Sequence, residues 1–368
     1  MSEIKKIVLT GGPCAGKTTA LVKINEYFSG FGYKVFNVPE VPTIFSTAGW
    51  NYLTPNRALY YQGERAILET QLALEDQFMR LAEVCTHPVL IVCDRGTLDI
   101  SAYIKPKEWE EITAMCGTNS NELLERYDAV LHLVSAADGA EQYYTTATNA
   151  TRYEQANEEG LRLARELDKK VIKAWTGHPH LRVINNHIDF ETKLNRVLKE
   201  ISTVVGLPQP LHDERIFRVE IIGELPPECS ESEITQTYLV TEPGGEVRLR
   251  RREFSGGKVI NLHRSRKRVS DTEIIETERQ VDNNLYEQML HQADPYRATI
   301  KKKRHSFIWK GRFFQIDIFC APVDDLVIME TKGIGEQDDI DLPPFVKVLE
   351  DVTSNSKYQN YNIALMRR

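Results

Sequence analysis

Residues 8–19 read VLTGGPCAGKTT. The apolar start of that stretch ends a strand, KKIVLT at 5–10, and TTALVKINEYF after it carries apolar residues at helical spacing. Between them Gly11-Gly12-Pro13-Cys14-Ala15-Gly16-Lys17-Thr18 fits G-x-x-x-x-G-K-[ST], in the strand–turn–helix setting that this motif needs. Gly11 and Gly16 let the backbone wrap around phosphates with its N–H groups pointing inward, and the helix N-terminus adds a favourable dipole. Lys17 then reaches the β- and γ-phosphates, and the Thr18 hydroxyl is suited to ligate Mg²⁺. The run from Gly11 to Thr19 is therefore read as a nucleotide-binding loop, with ATP or GTP as its ligand.

The first half of the chain repeats this alternation. YKVFNV (33–38), VLIVCD (89–94), DAVLHLVS (128–135) and LRVINN (181–186) are near-continuous apolar runs, as expected for strands buried on both faces of a parallel sheet. RALYYQGERAILETQLALEDQFMRLAEV, EEGLRLARELDKKVIKAW and ETKLNRVLKEIS have helical spacing. The pattern predicts an α/β P-loop NTPase domain over 1–205, a parallel sheet with helices on both faces. GLPQP at 206–210 breaks the pattern, so 206–212 reads as a linker. Over 213–368 the texture turns to alternating strands: RIFRVEIIG, QTYLV, EVRLRRREF, KVINLHR, HSFIWKGRFFQIDIF and LVIMETKG. Turn signals such as EPGGE and FSGGK separate them, NNLYEQMLHQAD reads as a helix, and FVKVLEDVT is a final candidate helix. A mostly antiparallel β barrel domain, α+β in class, is predicted there.

Composition narrows the function classes. With 368 residues, 41% hydrophobic and 27% charged, the chain is globular, and without a run of 18 apolar residues no spanning helix is expected. The opening MSEIKKIVLTGG enters a strand at once, which predicts no signal peptide. Six scattered cysteines with no CxxC pair point to free thiols and a cytoplasmic protein. A net charge of −7 coexists with nine Lys or Arg and one Glu over 248–268, so a polyanion is a candidate partner, and peripheral contact with a membrane is open.

Two further strand ends carry candidate chemistry. Asp94 closes VLIVCD, where a carboxylate orienting Mg²⁺ is needed, and Arg95 follows it, suited to meet a phosphate or an acceptor. Glu40 lies just beyond YKVFNV in a loop stiffened by Pro39 and Pro42, and could accept a hydroxyl proton as phosphate transfers or hydrogen-bond the acceptor.

GGPCAGKTT, the VPE after the second strand, the CDRGTLD block and the NATRYE…HPHLRVINN tail resemble the P-loop kinase-like family that includes ribosylnicotinamide kinase domains and TRPL translocation defect proteins. The pairing of Glu40 with Asp94-Arg95 is also similar to that of deoxynucleoside kinases. The resemblance implies an ATP- or GTP-using phosphotransferase core with Glu40, Asp94 and Arg95 around the acceptor. In kinases of this build a lid supplies arginines to the transferring phosphoryl group. Arg152 is the candidate for that role, while Arg162 and Arg165 fit a lid or a solvated helix face equally. Asn186-His187-Ile188-Asp189 invites comparison with the N-K-x-D guanine reader, but the Lys is replaced and Asp189 reads as a helix cap.

In the second half, Arg248, Arg250 and Arg252 alternate along one strand face, with Leu249, Arg251 and Glu253 on the other. Glu276 and Glu278, Lys302 and Arg304, Gln315, Asp317 and Phe319, and Glu330 and Lys332 repeat the period of two. These are outward faces of half-buried strands, or else the charged interior of a barrel in which arginines bind phosphates and carboxylates hold a metal. The segment from Phe217 to about Gly333 resembles the CYTH, or triphosphate tunnel, domain on its R-x-R, E-x-E, K-x-R and ETKG strands. That resemblance implies a triphosphate-like anion with Mg²⁺ or Mn²⁺, and Glu220, Glu276, Glu278, Asp317 and Glu330 as candidate ligands. The family's opening E-x-E-x-K appears here as Arg218-Val219-Glu220-Ile221-Ile222, with one acid kept and the Lys lost.

Three readings follow. The first is a Mg-nucleotide phosphotransferase or NTPase whose second domain binds a phosphate-rich ligand. The second is a nucleotide-dependent regulatory module for a polyphosphate, inositol phosphate or phospholipid head group, with little catalysis. The third places a Mg-dependent tripolyphosphatase in the barrel. Nucleic acid is disfavoured, because few aromatics interleave the basic run for base stacking.

Overall fold

The computed structural model describes residues 3–52, 54–144, 157–186, 189–210, 214–227, 229–254, 257, 259–270, 273–310, 312–332 and 340–365. The chain divides into two compact units, Met1–Leu198 and Lys199–Arg368.

In the first unit, β1 (Ile4–Gly11), β2 (Lys34–Val38), β3 (Val89–Asp94), β4 (Ala129–Leu133) and β5 (Leu181–Ile184) form one parallel sheet in the order β2-β3-β1-β4-β5. Three successive β1 residues, Ile7, Val8 and Leu9, are fully buried, so both faces of the strand are covered. The covering helices are α1 (Lys17–Gly30), α2 (Val41–Thr47), α3 (Arg57–Glu83), α4 (Pro106–Met115), α5 (Ser120–Leu124), α6 (Glu158–Trp175) and α7 (Phe190–Val204), the last of which contains the division between the units. Sequence chemistry fixes their starts. Asn56 caps α3 by accepting from Ala58 N at 3.1 Å and Leu59 N at 3.2 Å, and Asn157 caps α6 through Gly160 N at 2.9 Å. Parallel register brings Leu9 beside Asp94 and Val38 beside Cys93. The ends of β1, β2 and β3 therefore deliver the glycine-rich loop, Glu40 and Asp94-Arg95 to one edge, at the point where the strand order reverses.

The second unit holds β6 (Gln209–Pro210), β7 (Glu214–Ile221), β8 (Ser230–Leu239), β9 (Gly245–Phe254), β10 (Val259–Arg268), β11 (Glu273–Val281), α8 (Asn283–Leu290), β12 (Ile300–Trp309), β13 (Arg312–Ala321), β14 (Val327–Lys332), β15 (Val346–Asp351) and α9 (Asn360–Ile363). The strands make an antiparallel sheet in the order β15-β7-β14-β13-β12-β8-β9-β10-β11-β6. Its residues pack apolar clusters on opposite faces. Phe217, Phe307, Phe314, Ile316 and Met329 form one, and Ile216, Tyr238, Ile300, Phe319 and Ile328 form another with Ile363 of α9.

One expectation fails here. FVKVLEDVT is not a helix: Val346–Asp351 is strand β15, paired with β7 through Val346↔Ile221 and Val348↔Val219. Its apolar residues fit a period of two as well as a helical one, and the open backbone edge of β7 decides between them. Among the described residues no helix is long and apolar enough to cross a membrane.

Candidate functional site

The loop after β1 is built on positions that exclude side chains. Gly11 has φ +147°, and a Cβ there would lie 2.1 Å from Leu133 O. Gly16, at φ +90°, starts α1. The loop carbonyls and amides are held from below by three side chains that the motif does not include. Asp168 Oδ1 accepts the Gly12 N–H at 2.6 Å and lies 3.0 Å from His132 Nε2. Ser135 Oγ donates to Pro13 O at 2.5 Å. Lys193 Nζ donates to Ala15 O at 3.1 Å, Val134 O at 2.9 Å and Asn186 Oδ1 at 2.6 Å. Burial lowers the Lys193 ammonium to about 8, with Asp168 opposing that shift.

Above the loop lies a cluster of charges. Arg95, left-handed at φ +70°, donates from Nε to Glu40 Oε1 and from Nη1 to Gly11 O at 3.4 Å, with Asp99 Oδ2 3.6 Å away. The other Glu40 oxygen accepts from Thr43 Oγ1 at 2.6 Å. Burial acts to raise the Glu40 carboxyl, but Arg95, Lys17 and the Thr43 bond outweigh it and hold it at about 2. Lys17 is lowered by burial and by Arg95. Asp94 is raised by burial against the pull of Lys17, and its Oδ1 is buried with no hydrogen-bond partner among the described residues. An orphaned carboxylate oxygen beside a phosphate loop suits a Mg²⁺ ligand, and Thr18 stands exposed at the start of α1.

Beyond Glu40 the wall is aromatic. The Trp50 ring lies over Gly63, where a Cβ would meet it at 1.9 Å, and its centroid is 4.1 Å from that of Tyr52. Tyr60 OH donates to Tyr103 O at 3.2 Å. Glu64, 3% exposed, is pushed up to about 7 by burial, against the Tyr60 hydrogen bond and the Arg57 charge. Further along α3, Glu75 accepts from Lys6, Gln71, Arg126 and Tyr127, and Gln71 also donates to Arg95 O at 3.4 Å.

In the second unit, register sets the charged residues of several strands on one face. Arg248 pairs with Tyr238 and Arg264, Arg250 with Gln236, Arg264 with Glu278, and Arg304 with Asp317. Arg248, Arg250, Arg252, Lys302 and Arg304 are all buried. Asp317 accepts from Lys302 Nζ at 2.6 Å and from Arg304 Nε and Nη2 at 2.6 Å each. Burial acts to raise Asp317, but Arg304 and Lys302 hold it well below the usual carboxylate range. Glu276 pairs with Arg264, Glu278 lies 3.7 Å from Arg250, and Glu330 lies 3.7 Å from Arg304. Glu220 is exposed and lies 3.7 Å from Lys347. Lys332 ends β14, its side chain outside the described residues. Lys302 Nζ also donates to Asn360 Oδ1 at 3.1 Å, so the C-terminal segment reaches this face.

A sequence profile described as an AAA domain matches residues 6–193, more than half of the chain. The chain belongs to the AAA domain family. No curated protein matches it. Among solved structures, an inorganic triphosphatase is 27% identical over 42% of this chain and 99% of its own, with a TM-score of 0.32. Deoxyadenosine kinase from M. mycoides with bound dATP is 17% identical over 54% of this chain and 99% of its own, with a TM-score of 0.34. A conserved hypothetical protein from Pyrococcus furiosus is 17% identical over 34% of this chain and 80% of its own, with a TM-score of 0.25.

Within the AAA domain the structure gathers Lys17, Glu40, Asp94 and Arg95. Arg152 falls outside the described residues, as do His187 and Ile188. Arg162 is exposed and pairs at 2.6 Å with both Glu159 and Glu166, as a solvated helix position does. Arg165 donates from Nη2 to Glu141 Oε1 at 2.9 Å. Asp189 accepts from Thr192 N at 3.0 Å, at the start of α7. Sequence reasoning missed Asp168, Lys193, Glu64, Gln71 and Glu75. A signal existed: each occupies a position of its helix's buried stripe, such as Ala164-Asp168-Val171-Ile172-Trp175.

Proposed function

We propose that the chain is a magnesium-nucleotide-dependent phosphotransferase or NTPase whose second unit binds a phosphate-rich anion. The observation that carries this reading is the Glu40 carboxylate fixed by Arg95, whose guanidinium also reaches the Gly11 carbonyl of the phosphate loop. A loop that only sensed nucleotide would have no use for an oriented, half-buried carboxylate at its mouth.

Loop amides and Lys17 would hold the phosphates. Thr18 and Asp94 would hold Mg²⁺, which when bound neutralises and orients the β- and γ-phosphates. A carboxylate at about 2 is a weak base, so Glu40 would act by hydrogen-bonding and orienting the acceptor hydroxyl rather than by taking its proton early. Transfer through a loose transition state needs little more than such positioning. Arg95 would meet the transferring phosphoryl group, and Arg152 would close over it. The scattered free cysteines suit a cytoplasmic setting.

The test is phosphate release from MgATP and MgGTP by wild type, Lys17→Ala and Glu40→Gln. Release lost in both variants supports the reading. Release that survives Lys17→Ala overturns it. Nucleotide binding that needs Lys17 without any turnover, even with hydroxyl acceptors supplied, favours the second reading, a nucleotide-dependent binding module. The paired state of the second unit's carboxylates is the observation on that side.

A further inference from the structure

The CYTH resemblance brings with it a divalent ion held by acids of the second unit, and the donor set does not fit one. Mg²⁺ and Ca²⁺ need several oxygens with free lone pairs converging at roughly 2.0–2.6 Å. Here both oxygens of Asp317 are taken by Lys302 and Arg304. Glu276 is engaged by Arg264, while Glu278 faces Arg250 and Glu330 faces Arg304. Glu220 stands in solvent near Lys347. Among the described residues no three His, Cys, Asp or Glu side chains are gathered for a metal.

The face is short of negative charge instead. Arg248 Nε and Arg250 Nε are buried donors with no hydrogen-bond partner among the described residues, on residues 8% and 6% exposed. A buried guanidinium N–H without an acceptor is costly, and an anion's oxygen removes that cost, whereas a divalent cation adds to the like charge already there.

We propose that this face binds a phosphate-rich anion with its own arginines and lysine and without a divalent ion, Asp317 acting as the positioning counter-ion that aims Lys302 and Arg304. This rests on the reading above that the second unit is an anion site. The ligand chemistry is a cluster of phosphoryl oxygens, carried by a free polyphosphate or by a lipid head group. Glu276 and Glu278 then compete with the ligand for Arg264 and Arg250, the opposite of what metal ligands would do.

The experiment titrates the full chain with inorganic tripolyphosphate by calorimetry, in EDTA and in MgCl₂, using wild type, Glu278→Gln and Arg250→Gln. A parallel arm sediments the protein with vesicles of phosphatidic acid in phosphatidylcholine, in the same two buffers. Binding in EDTA at least as tight as in Mg²⁺, tightened several-fold by Glu278→Gln and weakened at least tenfold by Arg250→Gln, is expected. Whichever arm shows it identifies the source of the phosphate. Binding at least tenfold weaker in EDTA and lost in Glu278→Gln, with the variant's circular dichroism unchanged, overturns the proposal and restores a metal site. Absence of binding to both probes in both buffers removes the anion-site reading itself.

Discussion

Arg95 donates its Nε–H to Glu40 Oε1 from a left-handed backbone, and Gln71 holds that backbone through its carbonyl. The guanidinium is thereby aimed at Glu40, and its charge, with Lys17 and the Thr43 bond, holds that carboxyl below its ordinary value. A lowered carboxyl adds stability that is full above the unfolded value of 4.5 and is lost as pH falls toward about 2. Glu40→Gln should cost about 3 kcal/mol at pH 7, and the difference from wild type should shrink steadily between pH 5 and pH 2. Urea unfolding across that range measures it; a difference independent of pH would refute the ion pair as its origin.

Glu64 has the opposite sign. Its carboxyl is raised from 4.5 to about 7, so the fold favours the proton and loses stability as pH climbs through that window. Glu64→Gln should unfold at a higher temperature than wild type at pH 8, by up to about 3 kcal/mol in stability, and match it at pH 5. Thermal melts at the two pH values decide the matter.

Lys193 touches no substrate position, yet it ties Ala15 of the loop to Val134 and Asn186. Lys193→Met keeps the buried stem and removes the charge-assisted bonds. MgATP affinity should fall about tenfold, equivalent to ~1.4 kcal/mol, while the loop residues themselves stay unchanged. Equilibrium fluorescence titration reads this directly.

Gly11 and Gly30 form a contrasting pair. Ala at 11 would place its Cβ 2.1 Å from the Leu133 carbonyl, while Ala at 30 meets nothing within 4 Å. Gly11→Ala should abolish nucleotide binding and lower the melting temperature; Gly30→Ala should leave both unchanged or gain up to about 1 kcal/mol from helix propensity. Parallel melts with and without MgATP give the comparison.

In the second unit, Arg297 Cζ lies 3.2 Å from the Tyr361 ring centroid, and Ala298 N donates to Ala364 O at 2.9 Å. Arg297→Met should release the segment around α9, seen as cleavage near residues 355–360 in brief limited proteolysis at which wild type stays intact.

The parallel sheet was legible because its strands are covered on both faces and so read as unbroken apolar runs, VLIVCD above all. The antiparallel sheet was legible from its period of two. β15 was not, since Val346 and Val348 satisfy either periodicity and only the neighbouring edge of β7 chooses. The motif announced its own eight residues, but Asp168 and Lys193 reach it from α6 and α7, more than 150 residues away in sequence. Their sole trace was a charged residue on an apolar helix stripe. What such a residue binds is set by packing, which local sequence does not encode.

Arg248, Arg250 and Arg264 stand as close neighbours of the same sign, and burial with the charges of Arg248 and Arg304 pulls Arg250 down to about 10 against Glu278. Crowding of this kind loads the folded state like a compressed spring, which the proposed anion, bound between the guanidinium groups, would relax. With such binding, the melting temperature of the chain would rise with the logarithm of anion concentration. Preparations in phosphate and in Tris would be two differently tensioned versions of one protein.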